Sequence, residues 1–181
     1  MANFQQITFH KYLRKGMSEL KKITVVVKNF NLKASGDIDA LFTMVRCEDE
    51  EGNTHHFKEV VMLNYLKRHG AMTTDTPRTW FFKHLGKKSI VLVAFEKGNG
   101  KVEYDFDHMR LVAKSTFLKG IVYGLAAVPA GVIVGTATYG IGLLLIPVFL
   151  FYSYRNIFKL PKMLRRKTLI SDLASHGVVV Q

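Results

Sequence analysis

Residues 120–154 read GIVYGLAAVPAGVIVGTATYGIGLLLIPVFLFYSY, a run of 35 residues without a single Asp, Glu, Lys, Arg or His. A run of about 18 apolar residues is already long enough for a helix that crosses a bilayer. The whole chain of 181 residues carries 26 Lys and Arg and 14 Asp and Glu, so the charges are concentrated outside this run. The sequence therefore excludes a purely soluble protein and predicts a membrane-embedded segment.

The length of the run favours a helical hairpin over a single span. One straight helix of this length would measure about 52 Å, whereas the hydrocarbon core is about 30 Å thick. Two spans near residues 120–136 and 139–154 fit better, with a turn over residues 137–142 where Gly140 and Gly142 loosen the helix. Basic residues flank the run on both sides, and basic flanks stay in the cytoplasm. We therefore expect a hairpin with both termini cytoplasmic.

Small residues recur along one face of the first predicted span. On a helical projection they form a stripe of about 80°, made up of Gly120, Gly124, Ala127, Gly131 and Gly135. Such a face lets two helix backbones approach closely in lipid. The face packs either on the second span of the same chain or on another copy, which would build an oligomer. Because the spans contain no ionisable residue, a transporter with a charged pathway is disfavoured.

A basic segment follows the second span. Its cations are candidates for contact with anionic lipid headgroups: Arg155, Lys159, Lys162, Arg165, Arg166 and Lys167. The alternative is an ordinary stop-transfer flank. The predicted domain order is an amphipathic helix over residues 1–22, a cytosolic β-rich domain over 23–113, the hairpin over 114–155, and a basic juxtamembrane segment with a tail over 156–181.

Alternating and β-branched patterns predict the strands of the β-rich domain. We expect strands over residues 23–30, 39–48, 55–62, 79–83, 89–96 and 101–107, with a helix over 63–69 that ends at Gly70. This order of three strands, a helix and two or three further strands is similar to that of an OB-fold, a small and partly open β-barrel. The resemblance covers residues 23–107 and rests on element order. The predicted fold class is thus an α+β membrane protein, with an OB-like barrel followed by a transmembrane hairpin.

Candidate chemical sites in the domain are weak. Cys47 and the pair His55 and His56 lie on adjacent predicted strands, but neighbouring histidines on a strand point to opposite faces, so we expect no metal site. Asp105 and Asp107 share a predicted strand face without a catalytic motif around them. We therefore expect neither an enzyme nor a bound cofactor.

Nucleic-acid binding has candidate residues in Arg78, Trp80 and Lys83, because aromatic rings beside cations stack on bases. Residues 1–113 carry 18 basic and 13 acidic side chains, a net charge too modest for a strong nucleic-acid footprint. Core packing is the favoured interpretation of Trp80 and Phe81.

Together these patterns predict a non-enzymatic protein of a bacterial-type inner membrane, acting as an anchor or assembly subunit of a larger complex. Its partners would be the lipid bilayer and either other proteins or further copies of itself, with no small-molecule substrate evident. Two alternatives stay open. One is an effector whose hairpins oligomerise and permeabilise the membrane when the cytosolic domain triggers them. The other is a membrane-tethered binder of single-stranded nucleic acid.

Overall fold

The computed structural model describes residues 19–179, except for the side chains of Ser115 and Lys119. Within that range the chain forms two compact units. The first combines residues 19–108 with residues 169–179, and the second is Met109–Thr168. The first unit thus contains chain from both sides of the uncharged run.

The predicted amphipathic helix over residues 1–22 lies largely outside the described residues. Its last two positions, Lys21 and Lys22, belong to a β-strand instead, because they pair with Phe82 and Phe81 of a later strand. Cross-strand pairing with buried aromatic residues stabilises the extended conformation there.

The first unit contains the strands and one short helix in the following order: β1 (Lys21–Ser35), β2 (Asp39–Asp49), β3 (Thr54–Leu63), α1 (Asn64–Arg68), β4 (Pro77–His84), β5 (Ser89–Glu96) and β6 (Val102–Tyr104). β1 pairs with both β2 and β4, β2 pairs with β3, and β4 pairs with β5, all antiparallel. A parallel pairing of β3 with β5 closes the sheet, with Val60 opposite Ile90. The result is a closed five-stranded barrel, with β6 added to β5.

Large aromatic side chains fill the barrel. Trp80 is fully buried, and its indole N–H donates a hydrogen bond of 3.1 Å to the carbonyl of Ala71. The ring of Phe57 lies 6.4 Å from that of Trp80 and 5.9 Å from that of Phe82. These rings bury large apolar areas and supply much of the driving force for folding.

The end of the barrel differs from the prediction for residues 101–107. β6 stops at Tyr104, and a long helix, α2 (Phe106–Ala137), begins two residues later. Asp105 accepts a hydrogen bond of 3.0 Å from the backbone N–H of His108, which satisfies one of the free donors of the first helical turn. Asp105 and Asp107 therefore do not share a strand face, since Asp105 caps the helix and Asp107 lies within it.

Helical structure continues on the other side of a short turn over residues 138–140. It consists of a 3₁₀ turn (Ile141–Leu144), α3 (Leu145–Tyr154), a π-helical turn (Arg155–Lys159) and α4 (Leu160–Met163). The turn is shorter than the predicted residues 137–142, and the helices extend further toward the flanking charges than the predicted spans. The π-helical turn precedes Pro161. Proline has no backbone N–H, so it cannot donate the usual helical hydrogen bond to the carbonyl of Ile157. The structure thus confirms a small β-barrel together with two long apolar helical segments.

The last helix is α5 (Arg166–Ser175). From Leu169 onward it belongs to the barrel unit. Leu169 and Leu173, one turn apart, are fully buried, and Asp172 contacts Lys83 of β4 at 2.5 Å. The N–H of Val178 donates a hydrogen bond of 3.1 Å to the carbonyl of Leu173 and closes this helix.

Candidate functional site

The two apolar segments expose most of their surface. Both Phe106–Ala137, with 32 residues, and Ile141–Met163, with 23, are long and apolar enough to cross a membrane. Their most apolar windows are only 18% and 17% buried. The core helix of a soluble protein is mostly covered by its own chain. Most of the apolar surface of both segments is therefore exposed in the described part of the chain.

The predicted small-residue face packs against the second segment of the same chain. A methyl group built on Gly120 would lie 2.8 Å from Cγ1 of Ile157, and one on Gly124 would lie 2.7 Å from Oγ of Ser153. Real Cβ atoms essentially never make contacts this short, so a side chain at either position would force the facing segment to shift.

The same face continues toward the turn. A methyl group on Gly131 would overlap Ile146, one on Gly135 would lie 3.2 Å from Leu143, and Ala127 is fully buried. In this structure the predicted face is thus occupied within the chain, as in the first of the two alternatives that the sequence left open.

Gly142 makes a close contact with α2 that its predicted position in the turn does not imply. It was placed in the turn, yet a methyl group built on it would overlap the backbone of Val134 and Gly135. Gly142 therefore faces α2 and extends the close approach from the opposite segment. The predicted turn over residues 137–142 overlaps the predicted span over 139–154, and a helical projection of that span was the signal that could have identified this contact.

Polar groups between the segments are satisfied within the hairpin. The hydroxyl of Ser153 donates a buried hydrogen bond of 2.8 Å to the carbonyl of Gly120. At the turn, the hydroxyl of Thr138 donates to the carbonyl of Val134 at 2.7 Å and accepts from the N–H of Gly142 at 2.8 Å. Such pairing is what a backbone turn needs in a medium without water.

The charged residues at the end of the hairpin opposite the turn are all basic. Residues 109–168 contain nine Lys and Arg and no Asp or Glu. Lys159, Lys162 and Arg165 are exposed, as are Arg166 and Lys167, while Arg155 is half-buried. Since Gly120 lies beside Ile157 and Gly124 beside Ser153, the antiparallel register brings Lys114 of α2 to the same end as these cations.

The residues proposed for nucleic-acid contact are buried or half-buried, whereas a binding surface requires exposed side chains. Trp80 and Lys83 are fully buried, so neither is available to stack on a base or to reach a phosphate. Arg78 is half-buried, and its Nε donates to the carbonyl of Gly70 at 3.3 Å. Phe81 is also fully buried, in agreement with the core-packing interpretation.

The Cys47 region contains no ligand set for a metal ion. Cys47 and His55 are paired in register, as expected, but burial raises the pKa of the Cys47 thiol to about 12. His55 is held by Asp49, with Nε2 to Oδ2 at 2.8 Å, and this hydrogen bond lowers the pKa of Asp49 to about 2. Among residues 19–179, no group of three His, Cys, Asp or Glu side chains is placed to hold a metal.

A polar cavity of about 620 Å³ lies beside β6, and Glu103 is its most buried charged group. The carboxylate accepts hydrogen bonds from Lys97 at 2.9 Å and from the Tyr65 hydroxyl at 2.8 Å, and it forms an ion pair with Lys101 at 3.1 Å. These partners, Lys97 first, lower the pKa of Glu103 to about 2 despite its burial. The network fixes β6, the strand that leads directly into α2.

Replacing Glu103 with glutamine is expected to lower the free energy of unfolding of the barrel by about 2 kcal/mol, because hydrogen bonds to a charged group are lost. The pKa is lower in the folded state than its ordinary value of 4.5. The ionised carboxylate therefore stabilises the fold above that pH, and the contribution is lost as the pH falls toward 2. Thermal unfolding between pH 2 and 7 should show a weaker acid dependence in Glu103→Gln. An unchanged pH profile would contradict this role.

Comparison with family models, curated proteins and solved structures finds no match for this chain.

Proposed function

We propose that the chain is a non-enzymatic integral membrane protein that anchors a small barrel at the bilayer and serves as a subunit of a larger inner-membrane complex. The observation that carries the proposal is the hairpin, whose two segments contact each other through glycines while their large apolar side chains face outward. Helices that associate through small residues and expose Leu, Ile, Val and Phe are typical of membranes.

The course of the chain supports a topology with both termini on one side. Residues before α2 and residues from Leu169 onward belong to the same barrel unit, in which Asp172 of α5 forms an ion pair with Lys83 of β4. A barrel built from both flanks requires the intervening chain to cross the bilayer an even number of times. The basic flanks favour the cytoplasmic side for this unit.

Anionic phospholipid is the proposed partner of the basic end. The cations from Arg155 to Lys167 and Lys114 of α2 lie at one end of the hairpin, and the sequence of residues 109–168 contains no Asp or Glu. Each cation near an anionic surface contributes about 1 kcal/mol of attraction. The opposite end of the hairpin, at the turn, carries no charge and is the end that crosses the bilayer.

The barrel is the proposed protein-interaction domain. Its strand connectivity, with β1 between β2 and β4 and β3 parallel to β5, is similar to that of an OB-fold. Because Trp80 and Lys83 are buried and the glycine face is occupied within the chain, neither nucleic-acid binding nor pore formation through that face gains support. A protein partner on the barrel surface is the function that we favour.

Purification of the full chain in mild detergent, with mass determination and identification of co-purifying proteins, tests the proposal. We expect a species heavier than the 20.5 kDa chain with its detergent, containing a second protein in fixed ratio. A complex of this chain alone would favour the oligomeric effector, which dye release from anionic liposomes would then check. A lone monomer that stays soluble without detergent would overturn the membrane assignment altogether.

A further inference from the structure

One ion pair within the barrel unit has a fully buried cation. Lys83 of β4 is fully buried, and its Nζ lies 2.5 Å from Oδ2 of Asp172 in α5. Removing an ammonium group from water is costly, and an opposite charge at contact distance offsets much of that cost. Lys83 therefore strongly favours a barrel on which α5 is docked with Asp172 in place.

The rest of the attachment of α5 is modest. Leu169 and Leu173 are buried, His176 donates to the carbonyl of Leu20 at 3.1 Å, and its ring lies 6.2 Å from that of Phe81. A helix of ten residues is marginal on its own in water. Segments held by few buried contacts open locally at a lower free energy than the core.

We propose that α5 is a releasable latch, locked by the Lys83–Asp172 pair, which fastens the returning end of the hairpin to the barrel. Closed, the latch ties both ends of the apolar segments to one barrel. Open, it leaves the barrel attached through β6 and α2 alone, with Glu103 still holding that connection. The latch thus couples the interaction domain to the hairpin, and in this respect it rests on the proposed membrane function.

Hydrogen exchange of the full chain in detergent tests the latch directly. Asp172→Asn keeps the shape of the side chain but removes the negative charge that Lys83 contacts in α5. We expect the amides of α5 to exchange faster by about tenfold or more, while those of β5 keep their native rates. Trypsin should also cut faster after Arg165, Arg166 and Lys167.

Two further variants define the cause. The double variant K83M/D172L replaces the ion pair by apolar side chains of similar volume, which preserves docking in many buried pairs. We expect its α5 to exchange at or below the native rate. Ser171→Ala, on the exposed side of the same helix, is the matched control and should leave exchange unchanged.

Native exchange of α5 in Asp172→Asn would overturn the proposal. Equal acceleration of α5 and β5 would also overturn it, because the pair would then support the barrel as a whole. Neither result depends on a bilayer, so a failure of the latch is distinguishable from a failure of the membrane assignment, which the purification experiment addresses.

Discussion

Replacing Gly142 with valine is expected to separate the two apolar segments and to destabilise the hairpin by about 1–3 kcal/mol. Even the first added carbon, Cβ, would overlap backbone atoms of Val134 and Gly135, and it would lie 2.8 Å from Cγ1 of Val134. A side chain can rotate away from a clash, but a helix backbone cannot. The segments must therefore move apart, and the neighbouring glycine contacts lose their packing as well.

The measurement is the unfolding of the purified chain in mixed micelles of a mild detergent and increasing SDS, followed by helical circular dichroism. Ala126→Val is the matched control, because Ala126 is exposed on α2 and gains the same kind of branched side chain. We expect the Gly142 variant to unfold at lower SDS while the control follows the native curve. Coincident curves for all three proteins would mean that the segments do not pack through Gly142.

The sequence predicts the hairpin well because its signals are local. A charge-free run follows from composition, and the spacing of Gly120, Gly124, Gly131 and Gly135 follows from the 3.6-residue period. Each of these glycines contacts the facing segment. The fate of Gly142 was missed because a glycine near the middle of an apolar run also signals a turn, and only the three-dimensional register separates the two meanings.

The same locality explains the successes and errors in the barrel. β5 has the predicted bounds, since SIVLVAFE is a β-branched and apolar run between turn signals. The segment from Val102 to Asp107 alternates in the same way, yet it becomes strand only to Tyr104. Asp105 is of a residue type that favours the N-cap position of a helix, and that cue competes with alternation at the boundary.

Contacts between residues that are distant in the sequence could not be predicted from sequence patterns. The pairing of Lys83 with Asp172 joins residues 89 positions apart, and a lysine on a strand is normally expected to face water. Closure of the barrel by β3 and β5 is likewise a long-range pairing. Neither leaves a periodic signal, because the partners are brought together only by the whole fold.

Replacing Val128 or Val148 with lysine is expected to reduce membrane insertion. Each lysine at the centre of a span raises the free energy of insertion by about 2.5–3.5 kcal/mol. The antiparallel register of the glycine contacts puts both residues near the middle of the hairpin, Val128 in the first segment and Val148 in the second. Both are more than half exposed, at 54% and 59%. In the proposed membrane topology the lysines would therefore meet lipid rather than protein.

The effect of these lysine substitutions differs between water and lipid, so it distinguishes the two environments. At an exposed position in water, valine to lysine is close to neutral for stability and improves solubility. In the hydrocarbon core the ammonium group loses its hydration, and from mid-bilayer its stem reaches the interface only with difficulty. The fraction that stays in membranes after an alkaline wash measures the difference. Met44→Lys, at a 73% exposed position of the barrel, is the control and should keep the native fraction. If Val128→Lys, Val148→Lys and their double variant match that control, the segments do not lie in lipid, because no bilayer tolerates two central charges without cost.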